Sequence, residues 1–598
     1  MNLSNSKHFQ KWHVLIYLLL TLLLLAGCSL PFLAPGNSSS STKSIPNTET
    51  SEEFAACLNE IFRSEVTSST LNLHYTLKDP SSYGITDYPV TFGHITSASD
   101  NAKTLKKTLK KIHSFSRDQL PLKQQFTYDL LTDYLTLQQK LCQYQNYEEP
   151  LIPSNGIQAE LPVLLVEYAF HTPGDVEDYL ELLSQTDDYF EELLDFEKEK
   201  ADAGLFMSDA NCDKVISECE EFISDSKNHY LITTFSDKIA AVDGLSEKEI
   251  RHYEKTNAKI VQNSVFPAYR SLIDGLTELM GSGNNDWGVC YYPDGKSYYE
   301  LLVYSDTGDH DDMKTIQRKI ETQRTDDIRA CADLIQKNPD ILQKCSAQTL
   351  SQTDPVQILE SLKQSMQNDF PMPPDAGYDV HYVDQSLQDY LAPAFYITAP
   401  IDDYSNNSIY INNAKGNSGI SAFTTLAHEG YPGHLYQTIM SYSSGMEPVR
   451  SLLNYPGYVE GWATYVEMMS YRYAGLDTDT ADLLMHNQSA TLSLYASSDI
   501  GIHYDGWTAS DMYKFWETYG ITDHDAIDEI TGLIVSDPGN YLKYYVGYLN
   551  FLALRENIQS SYGDSCSLTD FHKTLLTMGP APFSLLDSYF DSYFKSAW

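Results

Sequence analysis

The sequence predicts a mainly α-helical chain that carries one small β-sheet. Three observations predict it. Apolar residues recur at helical spacing through most of the chain. Between Tyr378 and Ile411 that period gives way to short runs of β-forming residues. No repeat of fixed period and no long linker interrupts the chain after Glu53.

The first 28 residues read as a targeting segment. Lys7 and Lys11 precede an almost unbroken apolar run from Val14 to Leu25, too short to span a bilayer comfortably. The run ends in Leu25-Ala26-Gly27-Cys28, which resembles the lipobox of bacterial lipoproteins. The resemblance implies a lipoprotein signal peptide over 1–28, cleaved before Cys28, with a diacylglycerol on the Cys28 thiol. The chain would then be lipid-anchored on the extracytoplasmic face of the cell membrane. Residues 29–53 are rich in Ser, Thr, Pro and Asn and read as a flexible tether. Residues 54–598 read as one helical domain, in one or two lobes.

Within that domain, Phe126–Cys142 recurs with helical period through Leu130, Leu131, Tyr134 and Leu135. Val176–Lys198 carries an apolar stripe between acidic residues and predicts one amphipathic helix. Ser246-Glu247-Lys248-Glu249 has the form of a capping box and opens a helix through Tyr253 and Ile260. Pro267 should kink or divide that helix. Met313–Gln336 and Val356–Asn368 predict further helices. Tyr378–Val383, Ala394–Ile397 and Ser408–Ile411 predict two or three strands. From Ser421 the pattern is helical again, with segments at about 456–473, 480–500, 510–519, 525–534 and 540–559. Ser567-Leu568-Thr569-Asp570 caps a penultimate helix.

Composition narrows the function. Hydrophobic residues make up 42% and charged residues 20%, as in a globular protein. Forty Lys+Arg against 82 Asp+Glu give a net charge of −42. Nucleic-acid binding needs clustered cations, so it is not expected, and neither is electrostatic adhesion to an anionic membrane. The acidic residues are spread along the chain, as on a solvated surface. The 44 tyrosines read as edges of amphipathic helices rather than a sugar-binding face. Eight cysteines follow Cys28. Export permits disulfides, and the sequence does not choose among the pairings. No Cys-x-x-Cys pair is present, so a cysteine-based zinc or redox site is not expected. Cys212 and Cys219 share one face of a helix two turns apart, too far to bridge to each other. There is no Gly-x-Ser-x-Gly elbow and no phosphate-cradling glycine loop, which excludes the usual serine hydrolases and nucleotide enzymes.

The densest chemistry lies in Leu426-Ala427-His428-Glu429-Gly430-Tyr431-Pro432-Gly433-His434, in a chain with 16 histidines. A zinc hydrolase needs three protein ligands, an open position and a base. In the usual His-Glu-x-x-His helix the two histidines are four residues apart and share a face. Here Pro432 stands where the second histidine would be, and His434 comes six residues after His428. On a straight helix, six residues leave the rings about 120° out of register and about 9 Å apart along the axis. Pro432 clashes with the carbonyl of His428, and Gly433 permits a sharp turn. The helix must therefore kink or stop near Tyr431 for both histidines to hold one ion. Glu460, 32 residues after His428, supplies a carboxylate ligand from a second helix. Glu467 lies on the same face two turns on, placed to orient a ligand histidine.

His428-Glu429-Gly430-Tyr431-Pro432-Gly433-His434 followed by Glu460-Gly461-Trp462-Ala463 resembles domain-of-unknown-function family 885. These are bacterial proteins, often lipoproteins, related to gluzincin metallopeptidases. Glu160–Leu165, Gly174–Tyr179, Asp499–His503 with Gly506-Trp507, and Asp537-Pro538-Gly539 through Arg555 add to the match. Where the family has Gln-Ala after Pro-Gly, this chain has Asn540-Tyr541.

The resemblance implies a large helical metallopeptidase-like domain. A small sheet would lie next to the zinc helix and edge a deep cleft, as in thimet oligopeptidase and carboxypeptidase Taq. It implies one Zn2+ per chain on His428, His434 and Glu460, with Glu429 as the general base that activates water for cleavage of an oligopeptide. His503 and either Tyr504 or Tyr545 are the expected oxyanion donors, and Arg555 the expected partner of a substrate carboxylate. Two alternatives stay open: a non-catalytic lipid-anchored binding protein on the same fold, and a zinc amidase or esterase.

Overall fold

The protein is described here from a computed structural model. It describes residues 47–596 apart from 226–228, 348–349, 351–352, 384–387, 389–391 and 414–417. Cys28 and most of the 29–53 stretch lie outside the described residues.

The first helix among the described residues, α1 (Thr48–Val66), begins inside the stretch read as tether. Asn47 accepts the Glu49 N–H at its start, a capping geometry that stabilises a helix N-terminus. Phe54, Cys57, Leu58 and Phe62 then bury one face. With α2 (Thr70–Thr76), α3 (Ala98–Ile112) and α4 (Leu122–Leu141) they form the N-terminal core.

A second core is built from α5 (Ile157–Glu167), α6 (Pro173–Leu183), α7 (Thr186–Asp202), α8 (Asp209–Phe222), α9 (Tyr230–Ile239), α10 (Glu247–Ile260) and α11 (Phe266–Leu279). The single helix expected over Val176–Lys198 is two. The Ser184 and Thr186 hydroxyls bond the carbonyls of Glu181 and Leu183. Local hydroxyl bonds of this kind compete with helix continuation. The capping box at Ser246 forms as expected, with reciprocal bonds to Glu249. Pro267 does divide its helix: a π-turn at Val261–Val265 separates α10 from α11. Such a turn makes room for a proline ring that would strike the carbonyl four residues back.

The main core gathers α12 (Gly295–Thr307), α13 (Met313–Lys337), α15 (Pro355–Ser365) and most of the C-terminal helices, while a short α14 (Ile341–Ser346) packs in a small cluster of its own with Cys331 and Leu483. Between α15 and those helices lie β1 (Gly377–Tyr382), β2 (Ala394–Ile397) and β3 (Asn406–Ile411). The sheet order is β1-β3-β2; β3 is parallel to β1 and antiparallel to β2. Ile409 on the central strand is fully buried against the main core.

Then follow α16 (Ile420–Glu429), α17 (His434–Ser443), α18 (Pro456–Ser470), α19 (Thr478–Ile500), α20 (Ala509–Thr518), α21 (His524–Ser536), α22 (Asn540–Tyr562), α23 (Leu568–Met578) and α24 (Phe583–Ser596). The expected cap at Ser567 forms with Asp570. The protein is thus mainly α with one three-stranded sheet.

Two cavities separate the second core from the rest. One, of about 400 Å³, lies between α5 and strand β2. The other, of about 300 Å³, lies among α8, α12 and the start of α22. All eight cysteines after Cys28 are free. Cys212 and Cys219 both face inward from α8. No helix among the described residues is long and apolar enough to cross a membrane.

Candidate metal centre

Helix α16 buries Phe423, Leu426 and Ala427, which leaves His428 and Glu429 on its last turn. The helix ends at Glu429 and a new one begins at His434. The turn between them contains a cis Tyr431–Pro432 peptide bond. At Gly433 a Cβ would lie 1.7 Å from the His428 carbonyl oxygen, so only glycine lets the chain fold back this tightly. The Pro432 carbonyl accepts a hydrogen bond of 2.9 Å from the Trp462 indole, tying the turn to α18. The bend that both histidines require is therefore present, and their ring centroids are 4.8 Å apart.

Glu460 comes from the second turn of α18. One of its oxygens lies 3.5 Å from His428 Nε2 and 3.4 Å from His434 Nε2. The ligand atoms of His428, His434 and Glu460 all lie within 4.8 Å of one another. Both histidine side chains are 13% exposed and Glu460 is 23% exposed, so the group is enclosed but reachable. His428 Nδ1 lies 3.1 Å from Glu467 on the next turns of α18. Glu429 accepts the Tyr396 N–H of β2 at 2.9 Å, which places the sheet edge against this carboxyl.

Burial works to lower the His428 pKa, but bonds to Glu460 and Glu467 outweigh it and hold the ring well above its ordinary value. Burial also works to raise Glu460, and the two histidines overcome it, leaving that carboxyl far below the usual range. Glu429 goes the other way: burial pushes it up against the pull of His434 and His428. Two neighbouring carboxyls are thus driven in opposite directions.

What puts Glu460 here is a contact between backbones. Helices α18 and α22 run in the same direction: Gly461 meets Gly547 and, farther along, Tyr465 stacks on Phe551. A Cβ on Gly461 would lie 2.5 Å from the Gly547 carbonyl carbon, and one on Gly547 would lie 2.3 Å from the Gly457 carbonyl oxygen. This approach brings Tyr544 of α22 to the centre, its ring 6.3 Å from that of His428. Burial, with Glu460 and Glu429 adding to it, holds the Tyr544 phenol well above its ordinary value, so it remains an O–H donor at neutral pH.

Tyr544 was not among the expected residues. Tyr545, which was, lies one position on, about 100° around the helix, and its hydroxyl meets Ser489 at 3.4 Å. His503 is also elsewhere. It is fully buried, takes the Val289 N–H on Nδ1 at 3.2 Å and bonds the Ile534 carbonyl through Nε2 at 2.8 Å. Both its nitrogens are occupied by backbone, and burial lowers its pKa to about 4. Tyr504 donates to Glu300 at 2.7 Å. Arg555 shares the face of Tyr544 but lies about 16 Å farther along α22, donating to the Tyr465 hydroxyl at 3.2 Å. These four are not brought to the histidine–glutamate group; Glu467 is.

Fold and centre together define a class: a helical protein whose Pro-Gly turn sets two histidines on a glutamate of the next helix, beneath a short sheet. The chain belongs to the family described as bacterial protein of unknown function (DUF885), whose profile matches residues 96–589. A crystal structure of a provisionally assigned lipoprotein from Colwellia psychrerythraea is similar at 18% identity, with a TM-score of 0.79 over 92% of this chain and 99% of that one. A structure of a provisionally assigned lipoprotein of unknown function from Shewanella oneidensis is similar at 16% identity, with a TM-score of 0.61 over 90% of this chain and 98% of that one. At these identities the likeness is one of fold. A search of curated proteins gives no match.

Proposed function

We propose that this chain is a zinc-dependent peptidase, lipid-anchored through Cys28 on the extracytoplasmic face of the membrane, that hydrolyses oligopeptides. The observation that carries the reading is the convergence of His428 Nε2 and His434 Nε2 on one Glu460 oxygen, beside the Glu429 carboxyl. Two imidazoles and a carboxylate are a donor set that zinc takes with a position left open. Glu467 on His428 Nδ1 would fix that ring's orientation and raise its basicity as a ligand. When bound, zinc supplies Lewis acidity at the substrate carbonyl and at water.

The chain's own residues divide the remaining work. Glu429, held by the Tyr396 N–H, accepts a proton from the attacking water and returns it to the leaving amine. The raised pKa of Glu429 suits a group that must both take and give a proton. The Tyr544 hydroxyl donates to the oxygen that gains charge as the carbonyl becomes tetrahedral. The lipid anchor is supported by Leu25-Ala26-Gly27-Cys28 and by two structural neighbours described as provisionally assigned lipoproteins.

Glu429→Gln tests the reading. Elemental analysis of the full-length protein should find one zinc per chain with and without the substitution. Cleavage of a mixed peptide library should be present in the unsubstituted protein and lost in the variant. A protein that takes up no zinc when zinc is added, or a variant that still cleaves, overturns the proposal.

A further inference from the structure

The 300 Å³ cavity touches the same two helices that present Glu460 and Tyr544. Pro456, one turn before Glu460, lines it, and so does Lys543, the residue before Tyr544. The cavity is therefore about one helical turn, some 5–6 Å, from the proposed centre. Its volume is at the lower end of the roughly 300–1,000 Å³ of small-molecule sites.

Its lining has two parts. One wall is aromatic: Tyr147 contacts Tyr298 at 4.9 Å and Tyr292 at 5.8 Å between ring centroids, and Trp287 stands near them. The other is acidic. Glu149 is matched by the buried Lys200, which leaves Asp286, Asp306 and Asp537 against the single cation Lys543. Lys543 lies over the Tyr544 ring at 5.4 Å. Asp306 accepts no hydrogen bond among the described residues, and burial pushes its carboxyl up to about 7. Asp537 receives one bond, at 3.5 Å from Asn155. Aromatic faces beside incompletely partnered carboxyls are the chemistry that recognises an ammonium or guanidinium group.

We infer that this cavity receives the basic side chain of a lysine or arginine in the peptide substrate, held between Asp306 and Asp537 with its stem along the tyrosine wall. The inference rests on the peptidase reading for its substrate, but the cavity's affinity for a cation can be measured apart from it.

The test uses the full-length chain and pairs of peptides that differ only by arginine or neutral citrulline at one position, scanned along the sequence. At one position the arginine peptide should be cleaved with at least tenfold higher kcat/KM, and Asp306→Asn and Asp537→Asn should each bring that ratio toward one. Arginine amide should bind the unsubstituted chain in calorimetry and bind Asp537→Asn at least tenfold more weakly. A ratio near one throughout, a preference for acidic peptides, or a ratio unchanged in both variants overturns the inference. If peptides are cleaved without preference and arginine amide does not bind, the cavity proposal fails and the peptidase stands. If nothing is cleaved yet arginine amide binds in an Asp537-dependent way, the peptidase fails and the cation site stands.

Discussion

His503 and His428 each sit near a helix end, with a buried carboxylate and a tyrosine close by, yet their ring nitrogens go to different kinds of partner. Around His503 the backbone answers both nitrogens, and Asp499, one turn earlier, is taken by the Tyr299 hydroxyl and the Gly539 N–H. Both nitrogens of His503 and the Asp499 carboxyl have thus found fixed partners within the chain. Around His428 only Nδ1 is fixed, by Glu467; Nε2 is turned toward a carboxylate that a second histidine also faces. Residue type does not distinguish the two neighbourhoods. What distinguishes them is whether the second nitrogen ends on backbone or faces a space shared with other donors.

Breaking each neighbourhood at its histidine gives the largest contrast. On the zinc-peptidase proposal, His434→Ala should abolish zinc binding and peptide cleavage while the chain stays folded, as metal analysis and circular dichroism would show. His503→Ala should keep the zinc and lose about 3 kcal/mol of stability in denaturant unfolding, because it empties a packed site and strands the Val289 N–H and the Ile534 carbonyl. The tyrosines make the same contrast one residue apart. Tyr544→Phe should lower kcat by roughly 100-fold with little change in KM. Tyr545→Phe should leave kcat unchanged and cost about 1 kcal/mol of stability. Glu467→Gln should weaken zinc by about 10- to 100-fold in competition with a chelator.

A different kind of effect is a slope with pH. Burial pushes Asp499 up to about 8, against the bonds from Tyr299 and Gly539, whereas an unfolded aspartate titrates near about 3.9. Between those two values the folded chain holds a proton that the unfolded chain has released. Stability therefore falls as pH rises from about 4 to about 8 and levels off above. Asp499→Asn should flatten that slope when unfolding midpoints are compared at pH 5 and pH 8.

Much of this was legible in the residues. Period and capping signals located the main helices, and the strands stood out by their β-forming runs. The clash of Pro432 with the His428 carbonyl required a break, and the break is where the structure puts it. Other features were hidden for physical reasons. The apolar stripe continues in register across Ser184–Thr186, so a period alone cannot see two hydroxyls closing one helix and opening the next. Asn47 caps α1, but the polar composition around it masked a helix whose burial begins only at Phe54. Tyr545 was expected and Tyr544 was not; the two differ by about 100° on a helix, which is invisible until the contacting face is known. A signal was available: Gly457, Gly461 and Gly547 mark the faces of α18 and α22 that touch, and Tyr544 is three residues from Gly547. His503 reads as polar in sequence, but its apolar neighbour Ile502 is fully buried with it, and the π-turn that carries both, Gly501–Asp505, departs from the helical period.

The glycine contact between α18 and α22 also sets a mechanical tolerance. A methyl group at Gly461 or Gly547 has no room unless one helix axis moves, and helices transmit such a shift as stiff rods. Glu460 rides on one rod and Tyr544 on the other, each within one turn of the contact. Their spacing is thus gauged by residues without side chains, outside the histidine–glutamate group itself. Since displacements near 1 Å can slow a reaction by about 100-fold, the precision of the centre is held at a point that an inventory of its polar groups would pass over.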